Sequence, residues 1–146
     1  AIEYRICAED PVTLLPAPGK VESFDYTFPQ GVRFDHCIYP GFEVRPEFDP
    51  MIGKLIIVGL SRNVALRKAE VALHNLHLDG IKTNKALHEI ITKEENFVAG
   101  KYSTHYISEI KPVERVETLK SDEALILKAL SMEMNYMRDG NEVLHY

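Results

Sequence analysis

The sequence predicts an α+β fold: an antiparallel β-meander or sheet over about residues 2–60, then packed helices, then a C-terminal helical extension. Three observations predict it. Residues 2–8 and 31–38 alternate apolar and polar side chains with the period of a strand that is wet on one face. Residues 52–60 carry a single charge, Lys54, in a run rich in β-branched side chains and punctuated by Gly53 and Gly59, the pattern of a strand buried on most of its length. From Ser61 onward the apolar period changes from two to that of a helix.

In the first strand Ile2, Tyr4, Ile6 and Ala8 share one face and Glu3, Arg5 and Cys7 the other. Leu14-Leu15-Pro16-Ala17-Pro18-Gly19 is stiffened by proline and belongs neither inside a helix nor in a central strand. Residues 20–24 alternate weakly. In the strand at 31–38, Val32, Phe34 and His36 oppose Arg33, Asp35 and Cys37. Tyr39-Pro40-Gly41 turns the chain, and residues 42–45 suit a short edge strand that Pro46 ends. Asp49-Pro50 favours a turn just ahead of the 52–60 strand, so a carboxylate is delivered to the rim of the sheet.

Ser61 is a good N-cap for an amphipathic helix reaching about Leu76, with Ala65, Ala69, Ala72, Leu73 and Leu76 on its apolar face. Residues 77–82 form an extended link closed by Asp79-Gly80. Thr83 or Asn84 caps a second helix carrying Leu87, Ile90 and Ile91, and Thr92 with Glu95 gives a capping-box pattern for a short third helix ending at Gly100. Residues 111–120 read as a linker or a surface strand. Ser121 caps a helix over 121–138 whose Leu125, Ile126, Leu130, Met132, Met134 and Met137 go nearly all the way round it. That helix is either core or a docking surface for a partner, since flexible Met serves both.

Composition narrows the function. The chain has 146 residues, 45% hydrophobic, enough for one ordinary core. A net charge of -5 and the lack of a basic block argue against nucleic acid and anionic membrane as partners. No apolar run approaches a membrane span and no secretory leader pattern is present, so a cytoplasmic setting is expected. Cys7 and Cys37 lack a C-x-x-C spacing and read as packed thiols rather than a disulfide or metal site. The chain starts without Met in an alternating strand pattern, and the expectation is a piece of a longer protein with something missing on its N-terminal side.

No phosphate loop, H-E-x-x-H, G-x-S-x-G or Ca²⁺ ladder is present, so motifs alone do not indicate an enzyme. His74 and His77 sit three apart but read as solvated surface histidines, and no metal site is expected. Arg5 is the side chain of interest. A guanidinium is forked and permanently charged, so it can stabilise a developing oxyanion without giving up a proton, and Asp49 is a candidate carboxylate to hold its angle. Spacing alone favours a plainer surface ion pair, worth well under about 1 kcal/mol.

Six blocks then decide the matter. They are Glu3-Tyr4-Arg5-Ile6-Cys7-Ala8-Glu9-Asp10-Pro11, Pro16-Ala17-Pro18-Gly19-Lys20, Gly31-Val32-Arg33, Tyr39-Pro40-Gly41-Phe42-Glu43-Val44, Phe48-Asp49-Pro50-Met51-Ile52-Gly53-Lys54-Leu55-Ile56 and Asp79-Gly80-Ile81-Lys82-Thr83-Asn84. In this order they resemble the C-terminal domain of biotin carboxylase, over roughly residues 2–107. The resemblance implies a division into that domain at 1–107 and a linker with helical extension at 108–146.

It also implies an ATP-grasp ligase that phosphorylates bicarbonate to carboxyphosphate with Mg-ATP and then carboxylates N1 of biotin carried on a partner protein. On the family pattern, Arg5 lies at the biotin site as stabiliser of the biotin anion and Asp49 holds it. Thr104 and His105 match the segment bordering the adenine. Arg33 looks like an arginine that bacterial members place in a homodimer interface, although Gln30 and the Arg45-Pro46-Glu47 stretch depart from the usual pattern there. The implied partners are the N-terminal ATP-grasp part of the same protein, the biotin carboxyl carrier protein and the carboxyltransferase. ATP, Mg²⁺ and biotin are cofactors of the complete enzyme, with none expected to bind this piece tightly. The final carboxyl acceptor is chosen by a different domain.

Overall fold

The structure, a computed structural model, describes residues 1–109. The expected linker and the helix over 121–138 lie outside these residues. In chain order the strands are β1 (Ile2–Cys7), β2 (Gly19–Lys20), β3 (Ser23–Tyr26), β4 (Val32–His36), β5 (Glu43–Val44) and β6 (Met51–Ile57). Helix α1 (Arg62–His74), strand β7 (Leu76–Asp79) and helices α2 (Lys85–Lys93), α3 (Glu95–Val98) and α4 (Tyr106–Glu109) follow.

The α+β class and the antiparallel pairing hold, but the connectivity is not that of a meander. β6, the last strand before the helices, lies in the middle of a three-stranded sheet of order β1-β6-β4, while β2-β5 and β3-β7 form separate two-stranded pairs. The reason is hydrophobicity: β6 buries Ile52, Gly53, Leu55 and Ile57, and a central strand is the place where such a run is covered. Its far end differs from expectation too. β6 stops at Ile57, Val58 donates its amide to the Gly31 carbonyl at 2.8 Å, and Leu60 is fully exposed ahead of the Ser61 cap.

The inner face of this sheet, with Tyr4, Ile6, Phe34, Leu55 and Ile57, packs on the stripe of α1 made by Ala65, Ala69, Ala72 and Leu73. Small alanines let helix and sheet approach closely. Gly53 is a glycine for the same reason, since a Cβ there would stand 2.5 Å from the Phe34 ring. The Ser61 hydroxyl accepts from the Val64 amide, and α1 ends at His74 rather than Leu76, which belongs to β7. His74 and His77 are therefore exposed residues of different elements.

Two other start signals resolve differently from the sequence reading. Thr92 does not cap the third helix; it is fully buried in the last turn of α2, and Glu94 takes the cap position of α3. Asn84 occupies the cap position of α2, yet its side chain makes no cap bond there, and Thr83 Oγ1 accepts from the Lys85 amide instead.

Candidate functional site

β1 carries the candidate site on the face turned away from α1. Glu3, Arg5 and Cys7 project from that face because strand side chains alternate, and Lys54 of β6 and Asp35 of β4 stand in register beside Arg5. Between Ile6 and Cys7 the register shifts: Ile6 pairs with Gly53 but Cys7 with Met51, leaving Ile52 as the extra residue of a β-bulge. A bulge bends the strand and raises its twist, and here it lets Ile52 and Gly53 both face inward. The Ala8 amide then donates to the Pro50 carbonyl at 2.8 Å, which brings the Asp49 turn back against the end of β1.

The Arg5 side chain is 69% exposed, and its ion-pair contact is with Glu3 at 3.4 Å. Asp49 is not paired with it. The Asp49 carboxylate accepts from the Met51 amide at 2.8 Å, which fixes the turn leading into β6. Both charges nevertheless act on one neighbour. Burial pushes the Cys7 thiol up to about 11; the Glu9 and Asp49 carboxylates push the same way, and a hydrogen bond with Asn84 and the Arg5 guanidinium oppose them.

The outer edge of β1 is closed by α2. Asn84 is 6% exposed; its Oδ1 accepts from the Cys7 amide at 3.0 Å, and its Nδ2 donates to the Arg5 carbonyl and to Glu9 Oε2, each at 3.2 Å. The Asn84 amide also donates to the Cys7 carbonyl at 3.2 Å. One turn later, His88 Nε2 lies 2.8 Å from the same Arg5 carbonyl. A carbonyl only accepts, so Nε2 carries the proton. Burial holds the His88 pKa below its ordinary value, the bond to Arg5 opposing, so the ring is neutral near pH 7. Its ring meets Tyr4 edge-on at 5.3 Å, and Thr92 Oγ1 bonds both the His88 carbonyl at 2.7 Å and Tyr4 Oη at 2.9 Å.

The other sequence-predicted residues lie elsewhere. Thr104 and His105 are exposed in the turn before α4, with Thr104 Oγ1 3.4 Å from His105 Nδ1; no hydrogen bond or ion pair joins them to Arg5 among the described residues. Arg33 lies on the same sheet face as Arg5 but on the opposite edge strand, paired with Asp35 at 2.8 Å. Both cysteines are free thiols, and Cys37 is exposed rather than packed. Among the described residues no three His, Cys, Asp or Glu side chains are grouped to hold a metal, and no helix is long and apolar enough to cross a membrane.

Sequence reasoning missed Glu3, Asn84 and His88 as neighbours of Arg5. Glu3 was within reach, since two residues apart on a strand means one face. Nothing in the spacing marked the other two, which come from 79 and 83 positions away.

Fold and site together define the class: an α+β domain that offers an exposed arginine on the open face of a small sheet. The family described as the biotin carboxylase C-terminal domain matches residues 3–109, and the chain belongs to that family. The chain is 49% identical to a biotin carboxylase of Haemophilus influenzae over 107 residues, 73% of this chain and 24% of that protein. It is 34% identical to a pyruvate carboxylase subunit from Methanothermobacter thermautotrophicus over 130 residues, 86% of this chain and 26% of that protein. Among solved structures, the biotin carboxylase domain dimer of the Hydrogenobacter thermophilus 2-oxoglutarate carboxylase, in complex with MgADP and bicarbonate, matches with a TM-score of 0.73 at 34% identity. The match covers 76% of this chain and 25% of that one. The chain thus spans about a quarter of the length of the curated relatives it matches.

Proposed function

We propose that this chain supplies the biotin-facing cation of a biotin carboxylase, an ATP- and Mg²⁺-dependent ligase that carboxylates N1 of a biotin borne on a carrier protein. Membership of the family supports the class, and one observation carries the role: Arg5 presents an exposed guanidinium from a strand whose backbone is held on both edges. Such a group fits a ureido ring, because among the described residues its forked N–H donors are shared with Glu3 alone, at 3.4 Å.

As the N1 proton leaves, negative charge accumulates on the ureido oxygen. Arg5 neutralises that charge and cannot itself lose a proton. Two unit charges about 4 Å apart attract by about 4 kcal/mol in surface-like surroundings. Each ten-fold in rate takes about 1.4 kcal/mol, so one arginine accounts for a hundred-fold or more. Asp49 fixes the turn leading into β6, and its charge reaches Cys7, which shares the strand face of Arg5. Thr104 and His105 border the nucleotide, and Arg33 lies in a homodimer contact; their exposure leaves them free for both roles.

The phosphate-binding and metal-binding groups belong to the rest of the enzyme, so the 146-residue chain alone neither cleaves ATP nor carboxylates biotin. Bicarbonate-dependent ADP release from the purified chain would overturn that statement. For the central role the experiment is Arg5→Ala in the complete protein: carboxylation of biotin should fall far more than bicarbonate-dependent ATP cleavage. An unchanged carboxylation rate would end the assignment.

A further inference from the structure

We propose that Asn84 is a positioning residue for Arg5: its carboxamide serves as a surrogate peptide unit along the outer edge of β1 and sets the direction from which the guanidinium leaves the strand. The inference rests on the biotin-facing role of Arg5.

Among the described residues β1 is an edge strand, bonded to β6 on one side. In an antiparallel ladder the backbone groups of alternate residues point away from the partner. On β1 these are the groups of Arg5 and Cys7, and α2 meets them. Asn84 Oδ1 takes the Cys7 N–H and Nδ2 gives to the Arg5 C=O, as a neighbouring strand would. The two contacts straddle Ile6, where the bulge begins. Without a partner on this edge, a bulged strand is free to twist, and a small rotation about β1 moves a long side chain by ångströms at its tip.

Four details separate this arrangement from ordinary helix capping. Asn84 stands at the cap position of α2 but forgoes the cap bond. It is a buried polar side chain with its acceptor and both donor hydrogens used, three bonds within 3.2 Å. Its orientation follows from the chemistry around it, since a flipped amide would face N–H with N–H and carboxylate with carbonyl. His88 adds a second donor to the Arg5 carbonyl, so that carbonyl is held by two side chains from one end of α2.

The experiment uses the complete carboxylase. Asn84→Ala should lower kcat for biotin carboxylation on the order of ten- to a hundred-fold, the range seen when a reacting group is misplaced by about an ångström, with a much smaller fall in bicarbonate-dependent ATP cleavage. Asn84→Asp keeps the acceptor for Cys7 but loses the donor to Arg5 and faces Glu9 with a second carboxylate. It should lower carboxylation similarly while leaving amide exchange at Cys7 slow, whereas Asn84→Ala should speed that exchange.

In an Arg5→Ala background neither change should reduce carboxylation further, because a residue acting through Arg5 has nothing left to position. Additive losses in the double variant, or equal losses of carboxylation and ATP cleavage, would mean that Asn84 only holds the fold. Full carboxylation in a folded Asn84→Ala protein would overturn the inference while leaving Arg5 in place. An Arg5→Ala protein that still carboxylates biotin would instead remove the functional reading itself.

Discussion

The Glu3 carboxylate stands 3.4 Å from the Arg5 guanidinium, two residues along the same strand face. Both side chains are substantially exposed, so the pair is worth no more than about 1 kcal/mol, and solvent leaves the cation easily recruited by another anion. Glu3→Gln is therefore expected to change stability by less than about 1 kcal/mol in urea unfolding. It should leave biotin carboxylation within a few-fold of the parent. A large loss of carboxylation would make Glu3 the carboxylate that steers Arg5.

Asp49 offers the complementary test, because its turn bond and the charge role proposed for it separate chemically. Asn at this position keeps an oxygen for the Met51 amide and removes the charge. Asp49→Asn should unfold at nearly the parent temperature and carboxylate biotin more slowly; Asp49→Ala should add a stability loss of about 1 kcal/mol, the usual worth of one exposed side-chain to backbone bond. Equal activity in the parent and the Asn variant would reduce Asp49 to a turn residue.

Thr92 ties the β1 edge to α2 from inside the core. It has a single hydroxyl proton, which goes to the His88 carbonyl, so the Tyr4 phenol supplies the proton of the second bond. Thr92→Val leaves Tyr4 Oη buried with no partner and should cost about 1–3 kcal/mol, whereas Tyr4→Phe leaves Thr92 satisfied and should cost about 1 kcal/mol or less. Thermal unfolding of the two variants decides it; the opposite order would refute this proton arrangement.

Gly53→Ala drives a methyl group into the Phe34 ring beside the bulge. Overpacking of this kind costs about 1–3 kcal/mol, and Phe34→Leu in the same chain should recover part of it. Denaturant unfolding of the single and double variants measures the recovery.

The cysteines should differ in reactivity. With its pKa raised to about 11 by burial and by Glu9 and Asp49, Cys7 exposes about one thiolate in a thousand at pH 8, so iodoacetamide should label Cys37 first. Labelling of Cys7 should climb as pH rises toward 11. The stability linkage has the same sign. The neutral thiol suits the folded state, so the contribution is complete below the ordinary value of 9.0 and is lost as pH rises through about 11. Mass spectrometry of the labelled chain reads the first effect and unfolding at a series of pH values the second.

The strand at β1, the apolar stripe of α1 and the Ser61 cap were legible because each rests on local periodicity or on a bond three residues long. Thr92 misled, and Asn84 holds its cap position without the cap bond, for a related reason. Both are good capping types next to helix starts, but each has a partner in β1, and a buried bond to a distant strand outweighs an exposed cap. The candidate site divides in the same way. The ordered blocks singled out Arg5 and Asp49, while the carboxylate standing at the guanidinium and the residues behind its backbone emerged only once β1, β6 and α2 were assembled.

The sequence by itself determined the class of elements, the faces of β1 and α1, and the family, because these depend on side-chain order along the chain. Only the tertiary structure decided that β6 is central, that the ladder bulges beside Cys7, and that Asn84 and His88 grip the Arg5 carbonyl. Those outcomes follow from competition among distant groups for the same buried hydrogen bonds and the same apolar cover, and such competition is settled in space rather than along the chain.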